Sequence, residues 1–363
     1  MCRRRGLVKD PGTAPRAVLN WMSRGWTQGE RTEVPRATIR DVARAAGVSV
    51  STVSRVFTRP ELFRDETRLK VHTAAEQLNY SPNRNAASLT TGRTANIGLV
   101  VPNLADPLFP EMIKAAQHGA REHGLAALLA DSDDSAADEE KLVHALAKDV
   151  DGLILFSSLL SDEQIASVDS LRPLVFVNRH VPGHRSVLVH APHAMSLLTQ
   201  YLANLGHTSA TYYPGPDNSW VAHDRLAALR KAAAGAGIDL EVEPMGPASF
   251  ESGSAVADEL VRQPLPTVVL CFNDQMAMGV VARLLQLGVR IPEQTSVTGW
   301  GGTKVGACST PALTTIAAPL ADLGSAAVAE LLLAQQDEPG ADPAPVTLEA
   351  TLQARATTGR ARS

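Results

Sequence analysis

The chain has 363 residues, 44% apolar and 20% charged, with a formal net charge of −4, an ordinary balance for a folded protein of two or three domains. No apolar run approaches the ~20 residues of a membrane span. Three scattered cysteines (Cys2, Cys271, Cys308) make no disulfide framework and fit a reduced, cytoplasmic chain. The small net charge hides an asymmetry. Residues 1–35 carry 7 Lys and Arg against 3 Asp and Glu, residues 36–93 carry 10 against 5, and residues 94–363 carry 17 against 30. A basic head on an acidic body points to a polyanionic partner for the head.

Residues 1–36, with several Gly and Pro, read as a basic and disordered N-terminal extension. Asp10, Pro11 and Gly12 interrupt it before any apolar core develops, which argues against a secretory signal. Met22 stands closer to the first folded motif than Met1 does and is an alternative start.

The first motif is "TIRDVARAAGVSVSTVSRVF", residues 38–57. Thr38 and Asp41 have capping-box spacing, Ile39, Val42, Ala43 and Ala46 recur at helical period, and Gly47 suits a left-handed stop. Ser49 then caps a second helix, from Val50 to Phe57. Two short helices joined by a Gly-containing turn make a helix-turn-helix. A third helix is expected in "RDETRLKVHTAAEQLNY", with Asp65 as its cap and Leu69, Val71, Ala75 and Leu78 as its buried side.

On the second helix Val53, Val56 and Phe57 face the core, leaving Val50, Ser51, Thr52, Ser54 and Arg55 outward. Small side chains let a helix sink into the major groove, hydroxyls bond phosphates and base edges, and an arginine pairs with both acceptors of a guanine. Pro82 then stops helix three, and Asn83 to Leu89 is too short for a helix stable alone.

With "LNYSPNRNAASLTTGRTANIGLVVPN" following that motif, residues 37–357 resemble the lactose/galactose repressor (LacI/GalR) family of bacterial transcription regulators. The resemblance implies a headpiece at 37–82, a hinge helix and linker at 83–94, and an effector-binding and dimerisation body at 95–357. It places Val50, Ser51 and Arg55 on major-groove bases, with Thr38, Ser49, Thr52 and Ser54 beside them. It puts Asn83, Arg84 and Ala86 on the hinge helix, and Leu89 as a minor-groove wedge that kinks the duplex.

From Ala95 onward, short apolar runs ("NIGLVV", "LAALLA", "GLILFS", "LVFVN", "TVVLCF", "SVTGW") alternate with amphipathic stretches. This is the α/β doubly wound pattern. The expected fold class is an all-α helix-turn-helix headpiece plus an α/β periplasmic-binding-protein-like two-lobed body. Its N-lobe takes 95–190 and 319–340, its C-lobe takes 191–318 and 341–357, and crossovers fall near Ala191, Ala318 and Gly340.

Ligands of open α/β sheets bind beyond the carboxyl ends of strands. Leu108, Phe109, Asp131, Phe156, Arg179, Trp220, Arg225, Asn273, Asp274 and Trp300 are therefore the expected effector contacts, with Asp274 also a possible helix cap. Family members carry an aspartate after "SVTGW", where this chain has Gly301 and Gly302. With Arg179, Arg225 and His190 as donors, the reading is a donor-rich pocket for an anionic sugar derivative. His180, His184, His190 and His193 have metal-like spacing, but no nearby ligand completes a set, so neither metal nor cofactor is expected.

The functional expectation is a sequence-specific DNA-binding regulator, a repressor that binds a pseudo-palindromic operator as a homodimer under a sugar-like effector. A solute-binding protein of the same body fold has no use for the headpiece. An enzyme is disfavoured because no GxSxG elbow, P-loop, GxGxxG after a strand or HExxH occurs. The end "QARATTGRARS" carries no leucine heptads and so no coiled-coil route to a tetramer.

Overall fold

The computed structural model describes residues 37–58, 60–80, 93–338 and 340–362. The chain divides into two compact units between Asn83 and Arg84. The N-terminal extension and Asn83, Arg84, Ala86 and Leu89, expected on a hinge helix, lie outside the described residues. None of the described helices is long and apolar enough to cross a membrane.

The first unit holds α1 (Ile39–Ala46), α2 (Val50–Thr58), a 3₁₀ turn at Pro60–Leu62 and α3 (Asp65–Gln77). The Asp41 carboxylate accepts the Thr38 backbone N–H at 2.9 Å and its hydroxyl at 2.7 Å, which fixes the start of α1. Gly47 ends α1 at φ 67°, a left-handed turn that a residue with a Cβ enters at a cost. Val42, Ala43, Val53, Val56, Val71, Ala74 and Ala75 form the buried core, with Phe57 and Tyr80 packed against it.

Two expectations for α3 fail. Arg64 stands at its N-cap position, and Asp65 lies in the first turn, where its charge favours the helix dipole. Leu69 is 69% exposed and Leu78 36% exposed. Val71 sets the phase of the buried stripe, and a residue two positions earlier points about 200° away around the helix. Leu78 already lies at the C-cap.

The second unit contains two six-stranded sheets. The first is built from β1 (Asn96–Val101), β2 (Ala126–Asp131), β3 (Leu153–Phe156), β4 (Leu174–Val177), β5 (Arg185–Val189) and β11 (Val346–Leu348). Its order is β11-β5-β4-β3-β1-β2, with every pairing parallel. The second is built from β6 (Ser209–Tyr213), β7 (Asp239–Val242), β8 (Val268–Cys271), β9 (Ser296–Gly301), β10 (Thr314–Ala317) and β12 (Thr351–Gln353). Its order is β12-β10-β9-β8-β6-β7, and only the β10–β12 pair is antiparallel.

Helices cover both faces of each sheet, as parallel strands require. The N-lobe has α4 (Phe109–Glu122), α5 (Ala136–Leu146), α6 (Asp162–Val168) and α12 (Leu320–Ala334). The C-lobe has α7 (Ala191–Asn204), α8 (Trp220–Ala236), α9 (Phe250–Leu260), α10 (Asp274–Gln286) and α11 (Lys304–Cys308). Helices α9 and α10 approach through glycine. A Cβ on Gly253 would lie 2.0 Å from the Met276 carbonyl oxygen, and one on Gly279 would lie 2.0 Å from that of Phe250.

The chain passes between the sheets after β5, after β10, and between β11 and β12. The third passage is therefore at residues 349–350, not near Gly340. Residues Val346 to Leu348 extend the N-lobe sheet by pairing with β5 before the chain leaves it. The C-lobe also runs past residue 357. Ala361 donates its N–H to the Leu205 carbonyl, and the Gly359 carbonyl bonds His207 Nε2 at 3.1 Å.

Candidate nucleic-acid interface and ligand cleft

On α2, Val53 and Val56 turn into the core, while Ser51 and Arg55 are exposed and Val50 is 41% exposed. Ser49 Oγ accepts the Thr52 N–H at 3.1 Å and also bonds the hydroxyls of Ser51 and Thr52, each at 2.8 Å. The Ser49 hydroxyl is thus occupied at the helix start, and Thr38's is held by Asp41. Thr52 and Ser54 are half-buried. The face that remains outward is Val50, Ser51 and Arg55, two small residues and one long cation.

Between the lobes lies a cavity of about 390 Å³. Pro102, Asn103, Asp106, Leu108, Phe109, Asp134, Ser157 and Leu159 line its N-lobe wall. Pro216, Asp217, Ser219, Val221, Arg225, the loop Gly246 to Ser249, Phe272, Asn273 and Gln275 line the C-lobe wall. It opens at the carboxyl ends of β1, β2, β3, β6 and β8, as parallel-sheet topology dictates.

The backbone there is unusual. Asp133 (φ 50°), Asp134 (φ 57°), Ser157 (φ 45°) and Asn178 (φ 57°) are left-handed without being glycine, and all follow the carboxyl ends of β2, β3 or β4. Such conformations cost free energy and gather where side chains must be aimed at a ligand.

Arg225 is the central cation, 3% exposed. Its guanidinium lies 4.2 Å from the Trp300 ring centre and 4.9 Å from that of Phe272. One amino group donates to the Phe272 carbonyl at 3.2 Å, whereas Nε has no partner. Burial pushes its pKa down to about 10. Asp106 faces it from the N-lobe, accepting the Leu108 N–H at 2.9 Å and the Asn273 side-chain amide at 3.1 Å. The latter bond joins the two lobes across the cavity. Burial raises the pKa of Asp106, and burial with the neighbouring charges of Asp131 and Asp133 raises that of Asp134. Asp134 accepts the Asn103 amide at 2.8 Å.

Leu108, Phe109, Arg225 and Asn273 thus line the cavity, and the other six expected effector contacts do not. Asp131 is exposed and accepts the N–H groups of Leu104 and Asp133, each at 3.0 Å. Phe156 is 1% exposed inside the N-lobe core. Arg179 is drawn beneath the loop after β3, where it donates to the carbonyls of Ser158 and Leu160 and pairs with Asp162 at 3.4 Å. Trp220 and Trp300 line a small void behind Arg225.

Asp274 is 2% exposed, and it does not cap its own helix. Asn273 caps α10 through the Met276 N–H, while Asp274 binds Thr303 N–H at 2.7 Å, Thr303 Oγ1 at 2.9 Å and Thr315 Oγ1 at 2.6 Å. With Arg179 turned away, the expected cluster of donors does not form at the cavity. His190 is elsewhere too, on Glu349 at 3.0 Å. Of the four histidines, His190 and His193 stay together, stacked at 6.3 Å beside Glu349, while His184 is on Asp169 at 2.8 Å. Among the described residues no group of three His, Cys, Asp or Glu could hold a metal.

Sequence reasoning missed Asp106, Asn103, Asp134 and Phe272. Asp106 opens the same "DPLFP" run that gave Leu108 and Phe109, and Asp134 ends "DSDD" a few residues past Asp131. Counting further into each loop was the available signal.

Residues 38–83 match the model of bacterial regulatory proteins of the lacI family, and residues 199–358 match a periplasmic binding protein-like domain. The transcriptional regulator GalR of Escherichia coli (strain K12) is 34% identical over 83% of this chain and 90% of its own length. The transcriptional repressor PurR of Vibrio vulnificus (strain CMCP6) is 33% identical over 82% and 91%. Among solved structures, the lac repressor dimer bound to operator and the anti-inducer ONPF superposes with a TM-score of 0.77 at 31% identity, covering 89% of this chain and 99% of that one. A complex of the regulator CelR with cellobiose gives 0.65 at 27%, covering 89% and 100%.

Proposed function

Because the chain belongs to the lacI family of bacterial regulatory proteins, we propose that it is a cytoplasmic transcriptional repressor that binds a pseudo-palindromic operator as a homodimer, its grip set by a sugar-like effector in the cleft. The observation that carries this reading is the outward face of α2. Val50, Ser51 and Arg55 stand together on a helix whose other side is locked into the headpiece core. Arg55 is the base reader in this proposal, paired with a guanine, and Ser51 and Val50 let the helix lie deep in the groove. Thr38, Ser49, Thr52 and Ser54 sit near the phosphates. Asn83, Arg84, Ala86 and Leu89 take the minor-groove role that family likeness gives them.

The body supplies a route for control. Asp151 accepts the Thr94 N–H at 2.7 Å, the Thr94 hydroxyl at 3.0 Å and the Ala95 N–H at 2.9 Å. This clamps the chain where it enters β1. At its other end β1 leads into Pro102 and Asn103, on the cleft wall. One strand therefore connects the cleft to the segment that leads to the headpiece. A ligand shifts operator affinity by as much as it favours one arrangement of the lobes over the other. The Asp106–Asn273 bond is one contact between the lobes that such a ligand would replace or reinforce.

A solute-binding role leaves the headpiece unexplained, and the relatives are regulators, not enzymes. The test is a mobility-shift titration of the full chain on its selected operator, with wild type beside Arg55→Ala. Wild type separates operator from scrambled duplex, and the variant loses that separation. Equal discrimination by both proteins removes Arg55 from the reading head.

A further inference from the structure

The charge lining the cleft is the reverse of what the sequence suggests. Asp106, Asp134 and Asp217 line it, and among the described residues Arg225 is its one lining cation. Arg225 is also largely committed, lying against Phe272 and Trp300 and bonded to the Phe272 carbonyl. Of its groups, the buried Nε is without a partner.

The acidic side outnumbers that cation three to one. Asp134 has a single donor, Asn103, and stands beside Asp131 and Asp133 on a left-handed stretch of backbone. The Asp217 side chain is exposed on the opposite wall. Asp106 also feels the charge of Asp134. Closing such a cleft over a ligand expels water, and each unneutralised carboxylate then costs more than it did when hydrated. An anionic ligand would add to that cost. Hydroxyls alone would bond the carboxylates without neutralising them.

We propose that the effector of this cleft is a hydroxylated ligand bearing a protonated amine, an amino sugar or similar amino polyol, held between Asp106, Asp134 and Asp217. Its hydroxyl oxygens accept from Arg225, and its less polar face lies on Leu108, Phe109 and Phe272. This rests on the reading of the cavity as the effector site.

The experiment is isothermal titration of the full-length protein with two matched ring series. One is glucosamine, glucose and glucuronic acid, and the other is galactosamine, galactose and galacturonic acid. In at least one series the amine binds roughly tenfold or more tightly than the neutral sugar, the scale separating charge-assisted from neutral hydrogen bonds, and the acid does not bind. In Asp134→Asn that advantage shrinks to within about threefold. No amine preference over the neutral sugar in either series, or an acid that binds as tightly as its amine, overturns the proposal. Operator binding by the same preparation without sugar is measured in parallel. If it fails, the regulator reading fails. If it holds while the charge ranking fails, only the amine assignment falls.

Discussion

Replacing Arg225 by Met tests whether this arginine is kept for ligand binding at the expense of stability. The guanidinium is buried with one hydrogen bond and an unpartnered Nε. The drop of its pKa from 12.5 to about 10 corresponds to about 3 kcal/mol by which folding disfavours the charged form near neutral pH. The two ring contacts are not part of that figure and return about 1–2 kcal/mol. The arginine thus leaves the fold roughly 1–2 kcal/mol less stable than an apolar side chain of similar length would. Methionine is unbranched and fills the space between Phe272 and Trp300 without a charge.

Arg225→Met is therefore expected to raise the melting temperature of the body by a few degrees, at about 2–4 °C per kcal/mol for a domain of this size. It should also abolish the response of operator binding to effector. Differential scanning calorimetry and a mobility-shift titration read the two effects on one preparation. A fall in melting temperature of more than about 5 °C, or an unchanged effector response, would mean that Arg225 is a structural residue and not one kept for the ligand.

Arg55→Ala should reduce operator discrimination by about 1–3 kcal/mol while leaving the melting profile unchanged, because the residue is exposed and outside the headpiece core; filter binding to operator and scrambled duplex checks both. Asp151→Ala removes the acceptor of three hydrogen bonds at the entry to β1, so effector binding should persist by calorimetry while release from DNA weakens. Gly253→Ala forces a Cβ to 2.0 Å from the Met276 carbonyl and should cost about 1–3 kcal/mol in urea unfolding; an unaltered midpoint means the two helices separate freely. His207 is half-held by burial in its neutral form, which places its pKa below the ordinary 6.5. Its contribution is therefore intact above pH 6.5 and lost as pH falls below it, and the stability difference between wild type and His207→Gln should shrink on acidification.

The element types were legible where the pattern was strong. The headpiece follows from capping spacing, a Gly stop and a 3.6-residue stripe, and the strands recognised from sequence are the continuous apolar ones such as Asn96–Val101 and Leu174–Val177. The strands that escaped notice include Asp239–Val242, an edge strand with alternating exposure, and the three-residue Val346–Leu348 and Thr351–Gln353. Too short to show a period, the last two moved the final crossover.

The cleft was legible only in outline. Sequence identifies the loops that follow strands, but not which residue of a loop turns inward. Two consecutive left-handed residues select Asp134 over Asp131, and such a choice has no periodic signature. Arg179 follows an apolar run and Arg225 lies in a helix, α8, and neither position alone tells which arginine turns to the cleft. One is drawn under by the carbonyls of Ser158 and Leu160, the other is held between two rings. Gly301 stands at the strand end where family likeness expects an aspartate. The structure adds that a Cβ there would sit 3.2 Å from Leu108 and 3.4 Å from Asp274 Oδ2, so the missing side chain is also a matter of room beside a buried carboxylate.

If α2 reads DNA as one half of a symmetric pair, the full-length protein will select a matching site from a random duplex pool. The expected result is enrichment of a pseudo-palindrome whose half-sites share a guanine, with selectivity at that guanine relaxed when the selection is repeated with Arg55→Ala. Enrichment of an asymmetric site, or of no site at all, would contradict it.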